Sequence, residues 1–269
     1  MSIADELSEK RLVFTVTSGR SGTKLLANLL RGAAGICAEH EPAPRFNYVF
    51  RSVVDSPDAA RWWLLTEKLP AIAQLLGSGH AYAELSHLTC KGFIEPMLDI
   101  GLRPSFLMVS RHPRSVASSL FRIGAIPERT AAGRLVLIGP SESSFLPLPG
   151  WRQLTDYQLC YWYVREIEFR QAHYRRAFSA KNLDWLDLDF DEISDWITFE
   201  KVSAFVAGGR QPDRSRFDQI LTSNQNPRAG LLNGAAEMAL PDNLDEQEQQ
   251  LDDMIARRAD FLAAGRDAA

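Results

Sequence analysis

Apolar positions in this chain change period along its length. Leu12-Val13-Phe14-Thr15-Val16 is a β-branched and aromatic run without charge, the pattern of a strand buried on both faces. Immediately after it Leu25, Leu26, Leu29 and Leu30 return at helical spacing, which predicts a helix from about Gly22 to Arg31. Residues Asp58 to Leu76 carry helical periodicity with Trp62, Trp63, Leu69, Ile72 and Leu75 inward, and Pro70 is placed to break or kink that helix. Ala81 to His87 predicts a second strand, Phe93, Ile94, Met97 and Leu98 the apolar face of the next helix, and Pro104 to Ser110 a third strand, apolar almost throughout. A helix from Arg114 to Arg122 follows. Gly124 to Trp151 shows little periodicity and reads as a long loop or lid with short helical pieces.

Leu154 to Phe178 is the longest predicted helix, with Tyr157, Tyr161, Val164, Ile167 and Phe169 on its buried side. Trp185 to Phe190 alternates as a strand, and Asp191-Glu192 open a helix behind it. Gly208 to Pro227 reads as irregular and polar, and Leu251, Ile255 and Leu262 mark a C-terminal amphipathic helix. Strands alternating with helices predict an α/β fold: a mainly parallel central sheet flanked by helices on both faces, begun by a P-loop-like strand–loop–helix. The 269 residues fit a single domain, 1–269. Ligands on such sheets bind beyond the carboxyl ends of the strands. The Gly19 turn, Ser86-His87 and Arg111 each end a predicted strand and are expected to face one crevice.

The turn after the first strand carries the chemistry. From Thr17 through Ser18, Gly19, Arg20, Ser21, Gly22, Thr23 and Lys24 every residue is a hydroxyl, a glycine or a cation. The glycines allow a tight backbone, and the free N–H groups of the helix start, with Arg20 and Lys24 beside them, suit an anion. An ordinary nucleotide-triphosphate loop places Ser or Thr after its Lys to hold Mg²⁺. Here Thr23 separates Gly22 from Lys24 and Leu25 follows Lys24, so that hydroxyl is missing. A phosphotransferase or nucleotide hydrolase using ATP or GTP is the rival reading.

Composition narrows the classes. The chain is 45% apolar and 24% charged, with a formal charge of −4, so any anion site is local and no nucleic-acid partner is implied. Cys37, Cys90 and Cys160 are scattered, which argues against disulfides and a structural zinc site and for a reducing, cytoplasmic setting. No signal-peptide core, membrane-length apolar run or metal-ligand spacing is read from the chain.

Arg111-His112-Pro113-Arg114-Ser115-Val116-Ala117-Ser118-Ser119 is a second informative stretch, in which an Arg fork at a strand end and a hydroxyl within the next helix can grip one phosphate. With both stretches in view the chain resembles sulfotransferases that use 3′-phosphoadenosine 5′-phosphosulfate. Arg20-Ser21-Gly22-Thr23 resembles the family's loop for the 5′-phosphosulfate, with Lys24 where Thr is frequent. Arg111 and Ser119, eight positions apart, resemble its 3′-phosphate motif. The resemblance covers about Arg11 to Arg122 and is looser beyond. It implies the 5′-phosphosulfate clamp at Ser18 to Lys24, Arg20 on the leaving group, no metal, and 3′-phosphoadenosine 5′-phosphate as product. It further implies that Arg228 and Gly230, in Asn226-Pro227-Arg228-Ala229-Gly230, form the family's loop over the nucleotide. For the general base it offers His87, in a Ser-His-Leu resembling the family's Thr-His-Leu, ahead of Glu41, which stands where other branches use Glu, with His40 third. The expected acceptor is a small molecule, lipid or carbohydrate bearing a hydroxyl or amine.

Overall fold

The computed structural model describes all residues except Met1, Ser143, Arg210, 224–236 and 267–269, together with the side chains of 258–266. In chain order the elements are α1 (Ile3–Ser8), β1 (Arg11–Val16), α2 (Thr23–Gly32), β2 (Cys37–Glu39), α3 (Phe50–Val53), α4 (Pro57–Trp63), α5 (Leu69–Leu76), β3 (Ala81–Glu84), α6 (Ile94–Asp99), β4 (Ser105–Ser110), α7 (Pro113–Arg122), α8 (Ala131–Val136), α9 (Asp156–Ala180), β5 (Trp185–Asp189), α10 (Trp196–Ala207), α11 (Arg214–Thr222) and α12 (Leu244–Arg266). The described residues form two compact units. One takes the chain up to Arg111 and resumes at Arg170; the other takes His112–Phe169 and the described residues after 236. Among the described residues no helix is long and apolar enough to cross a membrane.

The first unit holds a five-stranded sheet of order β2-β3-β1-β4-β5, parallel at every pairing. β1 is central because each of its residues from Leu12 to Val16 is apolar or, as Thr15, bonded internally: the Thr15 hydroxyl donates to the Ser86 carbonyl at 2.9 Å. Alternation along the strands divides the core. Val13, Leu107, Val109 and Leu188 pack against α2, α10 and α11. Phe14 and Phe106, opposite one another in register, face the other way, where Phe106 stacks on Phe178 of α9 at 4.1 Å between ring centres. Both faces of the sheet are therefore covered, as parallel strands require. β2 and β3 lie on one side of β1 and β4 and β5 on the other, so the chain changes side of β1 between β3 and β4. That switch opens the crevice at the carboxyl end of β1.

Three local expectations are corrected. The region expected to be one helix with Trp62 and Leu75 inward contains a π-helical turn, Leu64–Lys68, ahead of Pro70. One extra residue in that turn rotates the faces on either side out of phase. Trp63, Leu69, Ile72 and Leu76 are buried, whereas Trp62 and Leu75 are exposed. Phe169 is exposed too, because it falls about 110° from the centre of the Tyr157–Tyr161–Val164 stripe at 3.6 residues per turn. The segment Gly208 to Pro227 is not irregular throughout: α11 occupies Arg214–Thr222, started by Asp213, whose carboxylate accepts from the Arg216 N–H. Phe217 buries beneath it, and Ile220 reaches Gly32 of α2, where a Cβ would lie 2.6 Å from its Cδ1. Cys37–Glu39 pairs with β3 as an edge strand, which puts His40 and Glu41 just past a strand end.

The second unit is built from α7, α8, the first part of α9 and α12. Phe121 meets Tyr157 edge to face at 6.0 Å. The long segment before Trp151 is pinned to α9: buried Glu166 accepts from the N–H groups of Phe145 and Leu146, at 3.0 and 2.6 Å, and the Trp162 indole donates to the Leu146 carbonyl. On α12 Glu248 accepts from Arg114 of α7 and from the Tyr157 hydroxyl.

One side chain of α9 secures the site end of the sheet. The Gln171 amide donates to the carbonyls of Val16 and Val109, at 2.9 and 3.1 Å, the last residues of β1 and β4 to face it. Gln171→Leu would leave both buried carbonyls without that donor. Chemical denaturation should show a loss of about 2–3 kcal/mol; a loss within a few tenths would mean that water takes over the amide's role.

Candidate functional site

The site starts from backbone geometry. Gly19, Arg20 and Gly22 all lie at positive φ, +78°, +56° and +74°. Such a turn lets a fully buried strand pass into α2 within a few residues. Gly22 caps α2 and brings no side-chain oxygen to its first-turn amides. A Cβ on Gly22 would come within 2.8 Å of the Phe190 ring, and one on Gly19 within 3.0 Å of the His87 ring. The glycines are thus required both by φ and by what lies against them. The hydroxyls of Thr17 and Ser21 bond each other at 2.6 Å, and Ser18 donates to the Gly19 carbonyl. Ser18, Ser21 and Thr23 are buried; Lys24 is exposed on the first turn of α2.

Arg20 is an L-residue in the left-handed region, which costs on the order of 1 kcal/mol. Arg111, leaving β4, offsets this by donating to the Arg20 carbonyl at 2.7 Å. Its guanidinium also lies 4.1 Å over the Phe190 ring, which holds it flat. Burial weakens the hold of both guanidinium groups on their protons. Arg111 adds its own charge against Arg20, while Asp191 opposes the shift on Arg111. Two guanidinium groups repelling each other beside the amides of a helix start form a local field that an anion relieves.

On the other side of the turn, β2 delivers His40 and Glu41 and β3 delivers Ser86 and His87. Glu41 is at φ +50°, and its Oε1 lies 3.5 Å from Nε2 of His87, whose side chain is 14% exposed. The other ring nitrogen, Nδ1, is 2.8 Å from Nζ of Lys91, which is wholly buried. Burial, then the charges of Lys91, His40 and Arg20, hold His87 well below the ordinary imidazole value, so its ring is neutral. Burial also pushes Lys91 down to about 7 and raises Glu41, against the pull of Lys91, Arg45 and Lys68. Burial and then the charges of Lys24 and Arg45 press His40 down to about 4.

The loop carrying Glu41 is fixed from below. Lys68, in the π-helical turn, donates to the Pro44 carbonyl at 3.1 Å and to Glu84 of β3 at 2.7 Å. The Tyr82 hydroxyl donates to the other Glu84 oxygen at 2.8 Å. All three side chains are buried. Removing one partner from such a pair strands the other charge, at about 3–5 kcal/mol.

The structure therefore brings Ser18 to Lys24, Arg111, His40, Glu41 and His87 together at the carboxyl end of β1. Ser119 lies on α7 in the second unit, half-buried beside buried Ser118. Arg228 and Gly230 fall outside the described residues. Lys91, Lys68 and Glu84 were not anticipated. Lys91 had a signal, its spacing of four from His87. Lys68 had a fainter one, a cation between the apolar residues Leu64 and Leu69.

No family model matches the chain, and no curated protein does. Among solved structures, the sulfotransferase domain from the curacin biosynthetic pathway superposes with a TM-score of 0.50 at 12% identity, covering 92% of this chain and 98% of that one. The chain thus has a sulfotransferase fold: an all-parallel five-stranded sheet between helices.

His40 provides a check on the site's electrostatics. Its folded value of about 4 lies below the ordinary 6.5, so between those pH values the unfolded chain binds more protons and stability rises with pH. The contribution, about 3 kcal/mol, is present above pH 6.5 and lost as pH falls through 4. His40→Gln should flatten the stability–pH curve across that window in denaturation series; an unaltered slope would mean that His40 is charged in the folded state.

Proposed function

We propose that this protein is a sulfotransferase that takes its sulfuryl group from 3′-phosphoadenosine 5′-phosphosulfate and passes it to a hydroxyl or amine of a small-molecule, lipid or carbohydrate acceptor. The observation that carries the reading is the pairing of Arg111 with the left-handed Arg20 turn, two cations held against each other at the start of α2. The donor set fits a phosphosulfate: first-turn amides, the Arg20 and Lys24 cations, and the hydroxyls of Ser21 and Thr23, with Arg111 reserved for the 3′-phosphate. When bound, the donor supplies the electrophilic sulfur and a phosphate leaving group.

The chain's own residues do the rest. The α2 amides and Arg20 hold and neutralise the leaving phosphate oxygen, where charge grows in the transition state. Thr23 and Lys24 fix the group in line with the acceptor. The Glu41–His87 pair takes the acceptor proton. Three free thiols, Cys37, Cys90 and Cys160, agree with a reducing, cytoplasmic setting. Lys24 followed by Leu25 disfavours a Mg²⁺–triphosphate reading, since the metal-binding hydroxyl is missing.

Calorimetry tests the donor. The product 3′-phosphoadenosine 5′-phosphate should bind without metal, and Arg20→Ala and Arg111→Ala should each weaken it about 10- to 100-fold. Unchanged affinity in both variants, or binding of ATP–Mg²⁺ in place of the bisphosphate, overturns the assignment.

A further inference from the structure

We propose that Lys91 is a positioning residue that selects the tautomer of His87, holding the ring as Nε2–H and thereby making the Glu41 carboxylate the atom group that receives the acceptor proton. The inference rests on the reading above for the proton's origin, but its geometry stands without a donor.

The argument is one of donors and acceptors. A neutral imidazole has one nitrogen that donates and one that accepts, and an ammonium only donates. Lys91 Nζ lies 2.8 Å from His87 Nδ1, so a protonated Lys91 makes Nδ1 the acceptor. The ring proton must then sit on Nε2, the nitrogen 3.5 Å from Glu41 Oε1. The hydrogen bond from Lys91 thus aims the Nε2 proton at Glu41, and Glu41 is the member with the most exposed side chain, at 32%. The ring lies against the bare backbone of Gly19, its Cγ and Nδ1 3.0 and 3.2 Å from where a Cβ there would stand. In this state His87 has no free lone pair for a substrate proton. As the acceptor oxygen bonds to sulfur and the sulfur–oxygen bond to the 5′-phosphate breaks, leaving its electron pair on that phosphate, the acceptor proton passes to Glu41.

The surroundings say when this holds. Lys91 is faced by Glu41, by Arg51 of α3, by Arg170 of α9 and by the Cys90 thiol, besides His87 itself. Burial, and then the cations Arg170 and Arg51, bring Lys91 down to about 7. His87 is faced by Lys91, His40, Arg20 and Glu41, and stays neutral throughout. Above that pH a neutral Lys91 can accept from Nδ1–H, and the ring proton moves from Nε2 to Nδ1. Lys91 thus ties the choice of base to its own charge.

Ring-nitrogen NMR of the full-length protein without donor tests this, with the His87 signals identified by their absence in His87→Gln. At pH 6 His87 should show a bare Nδ1 and a protonated Nε2, and the Nδ1–H form should grow through pH 7. Lys91→Met should release the preference and mix the tautomers at pH 6. Lys91→Arg, which still only donates, should restore the Nε2–H form at pH 6 where Lys91→Met does not. A protonated Nδ1 in the wild type at pH 6, or a Lys91→Met spectrum identical to wild type, overturns the proposal. If Lys91→Met does not fold, the wild-type spectrum decides alone. Failure to bind the adenosine bisphosphate would count against the sulfotransferase reading and leave the tautomer result standing.

Discussion

The left-handed turn after β1 is the constraint on which the rest of the site depends. A strand buried on both faces can enter a helix within six residues only by taking positive φ, which it does at Gly19, Arg20 and Gly22. The missing Cβ at Gly19 admits the His87 ring from the end of β3, and that at Gly22 admits Phe190 from the end of β5. Arg20, with no such freedom, is held by Arg111 from the end of β4. One turn thus gathers the ends of three other strands. A methyl group at either glycine would push against one of them and strain the backbone at once.

Around that turn the protein buries more charge than a plain core would. Lys68, Glu84 and Tyr82 form a closed, fully partnered set on one side. Lys91, His87 and Glu41 form an open chain on the other, ending at the crevice. The closed set serves position: through the Pro44 carbonyl it fixes the loop that presents Glu41. The open one serves proton chemistry, because burial and then the neighbouring cations keep the imidazole neutral. Burying ions in this way is an expensive route to stability and a good route to a defined geometry.

The strand–turn–helix, the order of strands and helices and the position of Arg111 at a strand end were legible in the sequence because they are local: period 2 against 3.6, glycines at a turn, a cation after an apolar run. The sequence also named Arg20, Glu41 and His87, through residue type and place at strand ends. It determined, in short, an α/β sheet with a cationic, metal-hydroxyl-free turn. Only the tertiary structure decided which groups meet there. Strand β2 was too short to show alternation, and α11 hid its Phe217–Ile220–Leu221 stripe among charges. The π-helical turn changed which tryptophan is buried, since a one-residue insertion in the hydrogen-bond ladder has no signature in composition. Lys91 lies beside His87 Nδ1 because the segment after β3 coils back on itself against Gly19, and Lys68 reaches Glu84 across sixteen residues of sequence. Periodicity records which side of an element is apolar; it carries no record of distance between elements, and the partner of a buried charge is a matter of distance.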